Sequence, residues 1–228
     1  MESKKYKCTY CGKEFAKERT LQVHLCEPKR RYLQRDEKWV VNAFMVFQRF
    51  YQIHQHNMKQ KTYDDFCNSP YYNAFVKFGR YIMHINPLYP EKYIDFVITS
   101  KVKLDYWSRD DLYETYLIAT MKSEPVEAAL QRTIATMMDW AEEQNAQWSD
   151  YFRLVNTNRA VQHIQQGKTS PWMLLGCSAG KKMLQSFSDE QLQMTQRFIN
   201  AEFWSNKFKQ YPADKMFVRE TAKEAKVE

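Results

Sequence analysis

Four residues near the amino terminus have the types and the spacing that bind a metal ion. Cys8 and Cys11 are separated by two residues, and His24 and Cys26 follow with one residue between them. Two thiols at the first separation lie on a tight turn and converge on one ion, and thiolate and imidazole ligands together suit tetrahedral zinc. The sequence therefore predicts one Zn2+ held by three thiolates and one imidazole.

The residues around these ligands resemble a C2H2-type zinc finger over roughly the first 30 residues. Phe15 and Leu21 form the apolar pair of that family, and Gly12 follows the second cysteine, where a knuckle turn favours a permissive backbone. The resemblance implies a ββα unit with a variant CCHC set of ligands. A segment this short has no core of its own, so we expect its folding to depend on the metal.

The last two ligands are closer together than in that family, in which about three to five residues separate them. Residues two apart on a helix point in nearly opposite directions, so His24 and Cys26 can face one ion only if the helix ends between them. Pro28 supplies a reason, because proline cannot continue a helix and displaces Glu27 from helical geometry. Alternative sources of the fourth ligand are His54, His56 and Cys67.

Positive charge is concentrated in the same part of the chain. Residues 1–35 contain ten Lys or Arg and four acids, a net charge of +6, whereas the remaining 193 residues add only +1 to the total of +7. Such a distribution is typical of contact with a phosphate backbone, the alternative being a solvated basic arm. We predict that DNA or RNA is contacted by these residues: Lys13, Lys17, Arg19, Thr20, Lys29, Arg30, Arg31 and Arg35.

Sequence-specific reading of DNA by this unit alone is not expected. If Leu21 is the fourth residue of the helix, then Lys17, Thr20 and Val23 take the positions that face bases in DNA-reading fingers. One finger reads about three base pairs, and the sequence contains no second copy of the unit. Contact that does not depend on sequence is the better expectation.

The rest of the chain is dominated by helical periodicity, and the five glycines of the whole sequence are too few for a fold rich in tight turns. We predict a mostly α protein, with the ββα finger and basic arm over 1–30, a single multi-helix domain over 31–212 and a loose tail over 213–228. The first helix of that domain is expected over 31–58. Residues 100–107 alternate in polarity and are the best strand candidate, with a loop as the alternative.

Patterns that would indicate catalysis are weak. The stretch from Gly176 to Gly180 has the spacing of a nucleophile elbow around Ser178, but no histidine follows residue 163. A junction of two helices explains these small residues better. The aromatic and basic residues of 71–81 have helical spacing, which favours a core face over a stacking platform for single strands. We predict a non-enzymatic protein, with a metal-dependent nuclease as the least favoured alternative.

Over its whole length the chain resembles uncharacterised zinc-finger proteins of large contractile-tailed bacteriophages, on the residues of 27–31, 71–79 and 170–172. That resemblance implies only a host-cell setting. Isolated cysteines and the lack of a signal sequence or a long apolar stretch predict a cytoplasmic protein that is neither secreted nor bound to a membrane.

Together these observations lead us to expect a zinc-binding accessory protein associated with nucleic acid. Its helical body would dock a partner in replication, recombination or transcription. The alternative is an adaptor between proteins, with the finger as its docking surface.

Overall fold

The computed structural model describes residues 5–55 and 59–228. Within these ranges the chain forms a two-stranded hairpin followed by a helical body, which confirms the predicted fold class. Its backbone divides into two compact units, Met1–Leu112 and Tyr113–Glu228, whereas the sequence predicts one helical domain over 31–212. No helix in the described ranges is long and apolar enough to cross a membrane.

The first unit begins with a small N-terminal module, residues 5–26, that contains the four candidate ligands. Strand β1 (Tyr6–Lys7) pairs antiparallel with β2 (Glu14–Phe15). Gly12 lies in the connecting turn at φ +74°, the left-handed region that favours glycine. Helix α1 (Glu18–Val23) follows, and its start at Glu18 confirms the predicted helical numbering.

Further helices of the first unit are α2 (Glu27–Leu33), α3 (Lys38–His54), α4 (Tyr63–Cys67), α5 (Tyr72–Ile85) and α6 (Pro90–Thr99). Helix α7 (Asp110–Ser123) crosses into the second unit. The helix predicted over 31–58 is confirmed for residues 38–54, but it is not continuous. Residues 34–37 separate α2 from α3, since they are all polar and offer no face to bury. Residues 56–58 of that prediction lie outside the described residues.

Of the two alternatives for residues 100–107, the strand is wrong and the loop is correct, because this segment is irregular and contains a 3-10 turn, Leu104–Tyr106. The indole N–H of Trp107 donates to the carbonyl oxygen of Val102 at 2.9 Å, which folds the segment back on itself. Trp107 is 2% exposed. Burial of this one large side chain therefore outweighs the alternating polarity of its neighbours.

The core of the first unit is built from aromatic rings. Phe75 lies 5.4 Å from Phe47 and 6.1 Å from Trp107 between ring centroids, and Phe78 lies 5.4 Å from Trp107. Tyr72, Phe75 and Phe78 are all buried, which confirms for these three rings the core interpretation made from helical spacing, whereas Tyr71 is 58% exposed and Tyr81 is half-buried. Stacking on nucleic acid is excluded for these three rings.

Helices α3 and α5 approach each other closely at Gly79. A Cβ atom at this position would lie 2.9 Å from the backbone nitrogen of Ala43, and closer still to the carbonyl oxygen of Trp39. Real side chains do not occupy such positions without backbone movement. Glycine therefore sets the separation of these two helices.

After α7, the second unit consists of further helices joined by short turns, with a 3-10 turn at Trp148–Asp150. They are α8 (Val126–Gln144), α9 (Tyr151–Leu154), α10 (Thr157–Gln165), α11 (Pro171–Gly176), α12 (Ser178–Gln185), α13 (Asp189–Thr195), α14 (Ala201–Gln210) and α15 (Pro212–Glu224). The predicted junction of two helices at 176–180 is confirmed, since the backbone is extended at Cys177 between α11 and α12.

The carboxyl-terminal residues are ordered helix rather than the loose tail predicted for 213–228. Pro212 is the first residue of α15 and does not mark the end of structure. Val218 and Ala222 are fully buried, and Ala225 is 3% exposed. These apolar residues follow one another at intervals of four and three residues, which is the periodicity of a packed helix face. The surrounding Lys and Glu residues make this pattern hard to recognise in the sequence.

Buried polar side chains of the second unit bind one another. Tyr151 Oη and His163 Nδ1 are 2.7 Å apart, and burial, with smaller effects of Lys168 and Arg159, lowers the pKa of His163 to about 4. Burial also raises the pKa of Tyr151 to about 12. This histidine is therefore a neutral core residue, which removes it from the candidates for solvent-exposed acid–base chemistry.

Candidate metal centre

Two secondary-structure boundaries bring the four candidate ligands together. Cys8 and Cys11 lie at the two ends of the turn that follows β1. His24 follows α1 as its C-cap, and Cys26 precedes α2 as its N-cap. The backbone is extended at both residues, with ψ angles of 120° and 163°, so the helix ends before Cys26, as the short spacing requires.

Pro28 does not act in the way the sequence predicts. We expected it to displace Glu27 from helical geometry, but Glu27 is the first residue of α2 and Pro28 the second. A proline in the first turn lacks only an N–H group that would have no helical partner, so it is well tolerated there. Pro28 therefore marks the beginning of the second helix, and α1 has already ended at Val23.

The ligand atoms of Cys8, Cys11, His24 and Cys26 all lie within 4.8 Å of one another. The Sγ atoms of Cys8 and Cys26 are 3.9 Å apart, and Cys11 Sγ is 3.3 Å from His24 Nε2. Bond lengths of about 2.3 Å to sulfur and 2.0 Å to nitrogen give a tetrahedron with S–S edges of about 3.8 Å and S–N edges of about 3.5 Å. The Cys8–Cys26 and Cys11–His24 distances therefore fit the edges of a tetrahedron around one ion.

Backbone hydrogen bonds fix the turn that carries the first two ligands. Cys8 N–H donates to the Lys13 carbonyl oxygen and Gly12 N–H to that of Cys8, both at 2.9 Å. A backbone hydrogen bond from Cys11, with a smaller one from Tyr10, lowers the pKa of the Cys8 thiol, and desolvation raises that of Cys26. The turn thus stabilises the thiolate form of Cys8, the form that binds metals.

A small apolar contact supports the imidazole ligand. The rings of Phe15 and His24 lie 4.7 Å apart between centroids, and Leu21 is half-buried in the same module. Lys29 Nζ donates to the carbonyl oxygen of His24 at 3.1 Å, which ties the end of α1 to α2. Among the described residues of the module, Cys8 alone is classed as buried, so the module lacks a substantial core of its own.

The alternative fourth ligands lie elsewhere. Neither His54 nor Cys67 belongs to the cluster of ligand atoms found among the described residues. His54 Nδ1 donates to the carbonyl oxygen of Phe50 at 2.9 Å, and burial raises the pKa of the Cys67 thiol at the end of α4. His56 is outside the described residues. Cys26 is thus the residue that the structure brings to the other three.

The basic residues predicted to contact nucleic acid fall into two groups. The first group lies on the N-terminal module, where Lys13, Lys17, Arg19 and Thr20 are exposed. Lys13 Nζ lies 5.6 Å from the centroid of the Phe15 ring. In the described ranges, Lys17 and Arg19 have no ion pair or side-chain hydrogen bond. Their charges are available to a partner in solution.

The second group lies on and after α2 and is engaged with the protein. Arg31 is the extreme case, since its side chain is only 17% exposed and its guanidinium lies 4.2 Å from the centroid of the Tyr72 ring. It donates to the carbonyl oxygen of Cys67 and, at 3.0 Å, to the carboxylate of Glu27. Tyr63 Oη in turn donates to the Arg31 carbonyl oxygen at 2.8 Å. Arg31 therefore anchors α2 to α4 and α5.

The other members of this group keep part of their surface in solvent. Arg30 pairs with Glu27 at 2.6 Å and remains 48% exposed, and the half-buried Lys29 is held by the His24 carbonyl oxygen. Arg35 donates to the Tyr32 hydroxyl at 2.8 Å and is likewise 48% exposed. Arg35 also pairs with the exposed Asp36 at 3.4 Å. Arg30 and Arg35 are therefore ion-paired but partly exposed, whereas Arg31 exposes little of its side chain.

Two exposed tyrosines near the metal site are missed by the sequence reasoning. Tyr10 lies between Cys8 and Cys11, and its ring centroid is 5.3 Å from that of Tyr32 on α2. The two residues are 39% and 40% exposed. The signal for Tyr10 is an aromatic side chain inside a turn between two ligands, where little protein is available to cover it.

Comparisons of this chain with protein-family models, with curated proteins and with solved structures found no match. The resemblances to C2H2 fingers and to bacteriophage proteins therefore stay predictions from the sequence. The capacity of the Cys3His cluster to hold one metal ion rests instead on the distances between its ligand atoms.

Proposed function

We propose that this protein is a zinc-binding, non-enzymatic accessory protein that contacts the phosphates of DNA or RNA through its N-terminal module. The observation that carries this proposal is the exposure of Lys13, Lys17 and Arg19 on a module whose strands and helix share a cluster of four candidate metal ligands. A rigid scaffold loses less conformational entropy on binding than a flexible basic arm does. Such a module therefore binds a polyanion with a smaller entropic cost for each charge than a flexible arm does.

Zinc is the ion that this donor set supports best. Three thiolates and one imidazole are a ligand set that structural zinc sites use, and the Cys8–Cys26 and Cys11–His24 distances fit its tetrahedral geometry. Four protein ligands leave no open coordination position, so the ion supplies folding free energy and no catalysis. This assignment agrees with the resemblance to a C2H2-type finger with a CCHC ligand set.

In this proposal the basic residues have separate tasks. Lys17 and Arg19 meet phosphates, Arg30 and Arg35 extend the positive surface, and Arg31 fixes α2 to the rest of the first unit. The helical body docks a partner in replication, recombination or transcription. The setting is the cytoplasm, which is that of the host if the chain is encoded by a bacteriophage.

Salt titration of binding tests the proposal. Fluorescence anisotropy with labelled single-stranded and duplex oligonucleotides should give a Kd that rises steeply with salt. The double variant Lys17→Ala/Arg19→Ala should bind more weakly, and its salt slope should be smaller by about 2, because each phosphate contact contributes about 1.

A matched control is available in the second unit. Lys181 and Lys182 are exposed neighbours on α12, so Lys181→Ala/Lys182→Ala removes the same net charge away from the N-terminal module. The control should bind like the wild type. Equal losses in the two double variants would mean that only net charge matters, and absence of binding at low salt would refute the proposal.

A second candidate function is that of an adaptor between proteins, and it is favoured by apolar exposure on the same module. Val23 is 76% exposed and Leu25 is 60% exposed, one on either side of the ligand His24. Exposed apolar side chains on a rigid surface are typical of protein interfaces. If Val23→Ser/Leu25→Ser abolishes binding to a purified protein partner while the salt titration shows no nucleic-acid binding, the adaptor is the correct function.

A further inference from the structure

An exposed aromatic contact joins the N-terminal module to α2. Tyr10 and Tyr32 contact each other with their rings at 48°, yet both keep about two fifths of their surface in solvent. Aromatic side chains stabilise a fold mainly through buried area. This pair therefore leaves a large aromatic surface that the fold does not use.

The backbone beneath Tyr10 is held in place from both sides. Cys8 and Cys11 are two of the four candidate ligands, so a bound ion would fix the turn that carries the ring. Among the described residues, Tyr32 provides the one ring contact of Tyr10. Tyr10 is 39% exposed, and little conformational entropy would be lost if a flat ligand covered this exposed part.

Arg35 extends the aromatic pair on the side of α2. Its guanidinium carbon lies 4.7 Å from the centroid of the Tyr32 ring, and its Nη1 donates to the Tyr32 hydroxyl at 2.8 Å. A planar guanidinium stacks on rings in the same way as an aromatic group. Tyr10 thus contacts Tyr32, and Tyr32 contacts Arg35; we call these three residues the aromatic row.

Two lysines flank the turn that carries Tyr10. The Lys7 side chain crosses the turn between the ligands, with its Cε atom 3.9 Å from the position that a Gly12 Cβ would take. Lys13 follows the same turn, and both lysines are exposed. A nucleotide whose base covered Tyr10 would therefore find cations for its phosphates on the same turn.

We infer that the aromatic row is a stacking site for the bases of single-stranded nucleic acid, with Tyr10 as the residue that receives a base. This inference rests on the proposed function and narrows its ligand. Single strands present unstacked bases, whereas the bases of a duplex are stacked on one another and out of reach. Every base has a flat face, so the site binds strands without regard to sequence.

Oligonucleotides with and without bases test this inference. The probes are a labelled oligodeoxythymidine, an abasic oligonucleotide of the same length and a duplex, each titrated by fluorescence anisotropy. Tyr10→Ala should weaken binding to oligodeoxythymidine roughly tenfold, since stacking on one aromatic residue contributes on the order of that factor. Binding to the abasic strand should not change, and Tyr10→Phe should bind like the wild type because it keeps the ring.

Zinc content and circular dichroism of each variant establish that the module is intact. If Tyr10→Ala proves unfolded, Tyr32→Ala and Tyr32→Phe provide the same comparison on α2. Equal binding of base-containing and abasic strands by the wild type would refute stacking while leaving phosphate contact in place. Tighter binding to the duplex than to oligodeoxythymidine would also refute it. So would an equal loss of affinity for oligodeoxythymidine and for the abasic strand in Tyr10→Ala, or binding to a protein partner and to none of the three probes. If the wild type binds all three probes weakly and Lys17→Ala/Arg19→Ala does not weaken this binding further, the proposed function is refuted as well.

Discussion

Replacing Arg31 with alanine should loosen the attachment of α2 to α4 and α5 in the first unit. The guanidinium donates to the Cys67 carbonyl oxygen and to Glu27, and it covers the Tyr72 ring at 4.2 Å. Its side chain is 17% exposed. The variant would remove all three contacts and leave the Cys67 carbonyl oxygen without this donor.

The size of the effect follows from these contacts. A hydrogen bond to a charged group contributes about 1.5–3 kcal/mol, and a partly buried cation–π contact about 1 kcal/mol. The ion pair adds less, since Glu27 is 41% exposed and such pairs contribute at most about 1 kcal/mol. Because the three contacts share one side chain and do not add fully, we expect a loss of about 3 kcal/mol.

Amide hydrogen exchange with mass spectrometry measures this loss of stability in the individual helices. Peptides that cover α2 and α4 should exchange on the order of 100-fold faster in Arg31→Ala, which corresponds to that free energy of local opening. Arg30→Ala is the matched control, because it removes the same charge from the same helix and breaks only an exposed pair with Glu27. Equal exchange rates in the two variants would refute the anchoring role of Arg31.

Three further predictions concern other parts of the chain. Acidification should destabilise the second unit, because His163 has its pKa lowered to about 4 in the folded chain and about 6.5 when unfolded. Its contribution to stability, about 3 kcal/mol, is present above pH 6.5 and lost as the pH falls through 4; urea titrations of His163→Gln should show a flatter pH dependence, and an unchanged one contradicts this assignment. Gly79→Ala should lower the thermal midpoint of the first unit by overpacking α3 against α5, at a cost of about 1–3 kcal/mol, and an unaltered midpoint would disprove the close approach. A zinc chelator should make amides of the N-terminal module exchange at unfolded rates and leave those of the second unit unaffected; protection that survives complete metal removal would show that the module folds without metal.

Local signals in the sequence correctly predict the ligand cluster, the helix end beside it and one junction of two helices. The short spacing of His24 and Cys26 requires a helix end, and the structure has one there. The small residues of 176–180 predict a junction of two helices, and α11 and α12 meet there at Cys177. In these cases the physical cause lies within a few residues of the feature, so a single sequence is sufficient to find it.

Features that depend on distant contacts are not predictable in this way. The role of Arg31 is set by Cys67 and Tyr72, which lie more than 30 residues away in the chain. Its neighbours in sequence are basic, and for that reason the sequence predicts a phosphate contact. The helix α15 is missed for a similar reason. The burial of Val218 depends on helices that are distant in the sequence, among them α11, whose last residue, Gly176, lies against the Val218 side chain.

The affinity for zinc of the wild type and of Cys26→Ser tests the central claim most directly. A competition titration against a chromophoric chelator should find one zinc per chain in the wild type. Cys26→Ser should bind zinc more weakly by more than about 100-fold, since even a residue that only orients a ligand contributes about 10- to 100-fold. Cys67→Ser, which changes a thiol outside the cluster, should bind like the wild type. Unchanged affinity in Cys26→Ser, or a loss in Cys67→Ser, would contradict the four-ligand site described by the structure.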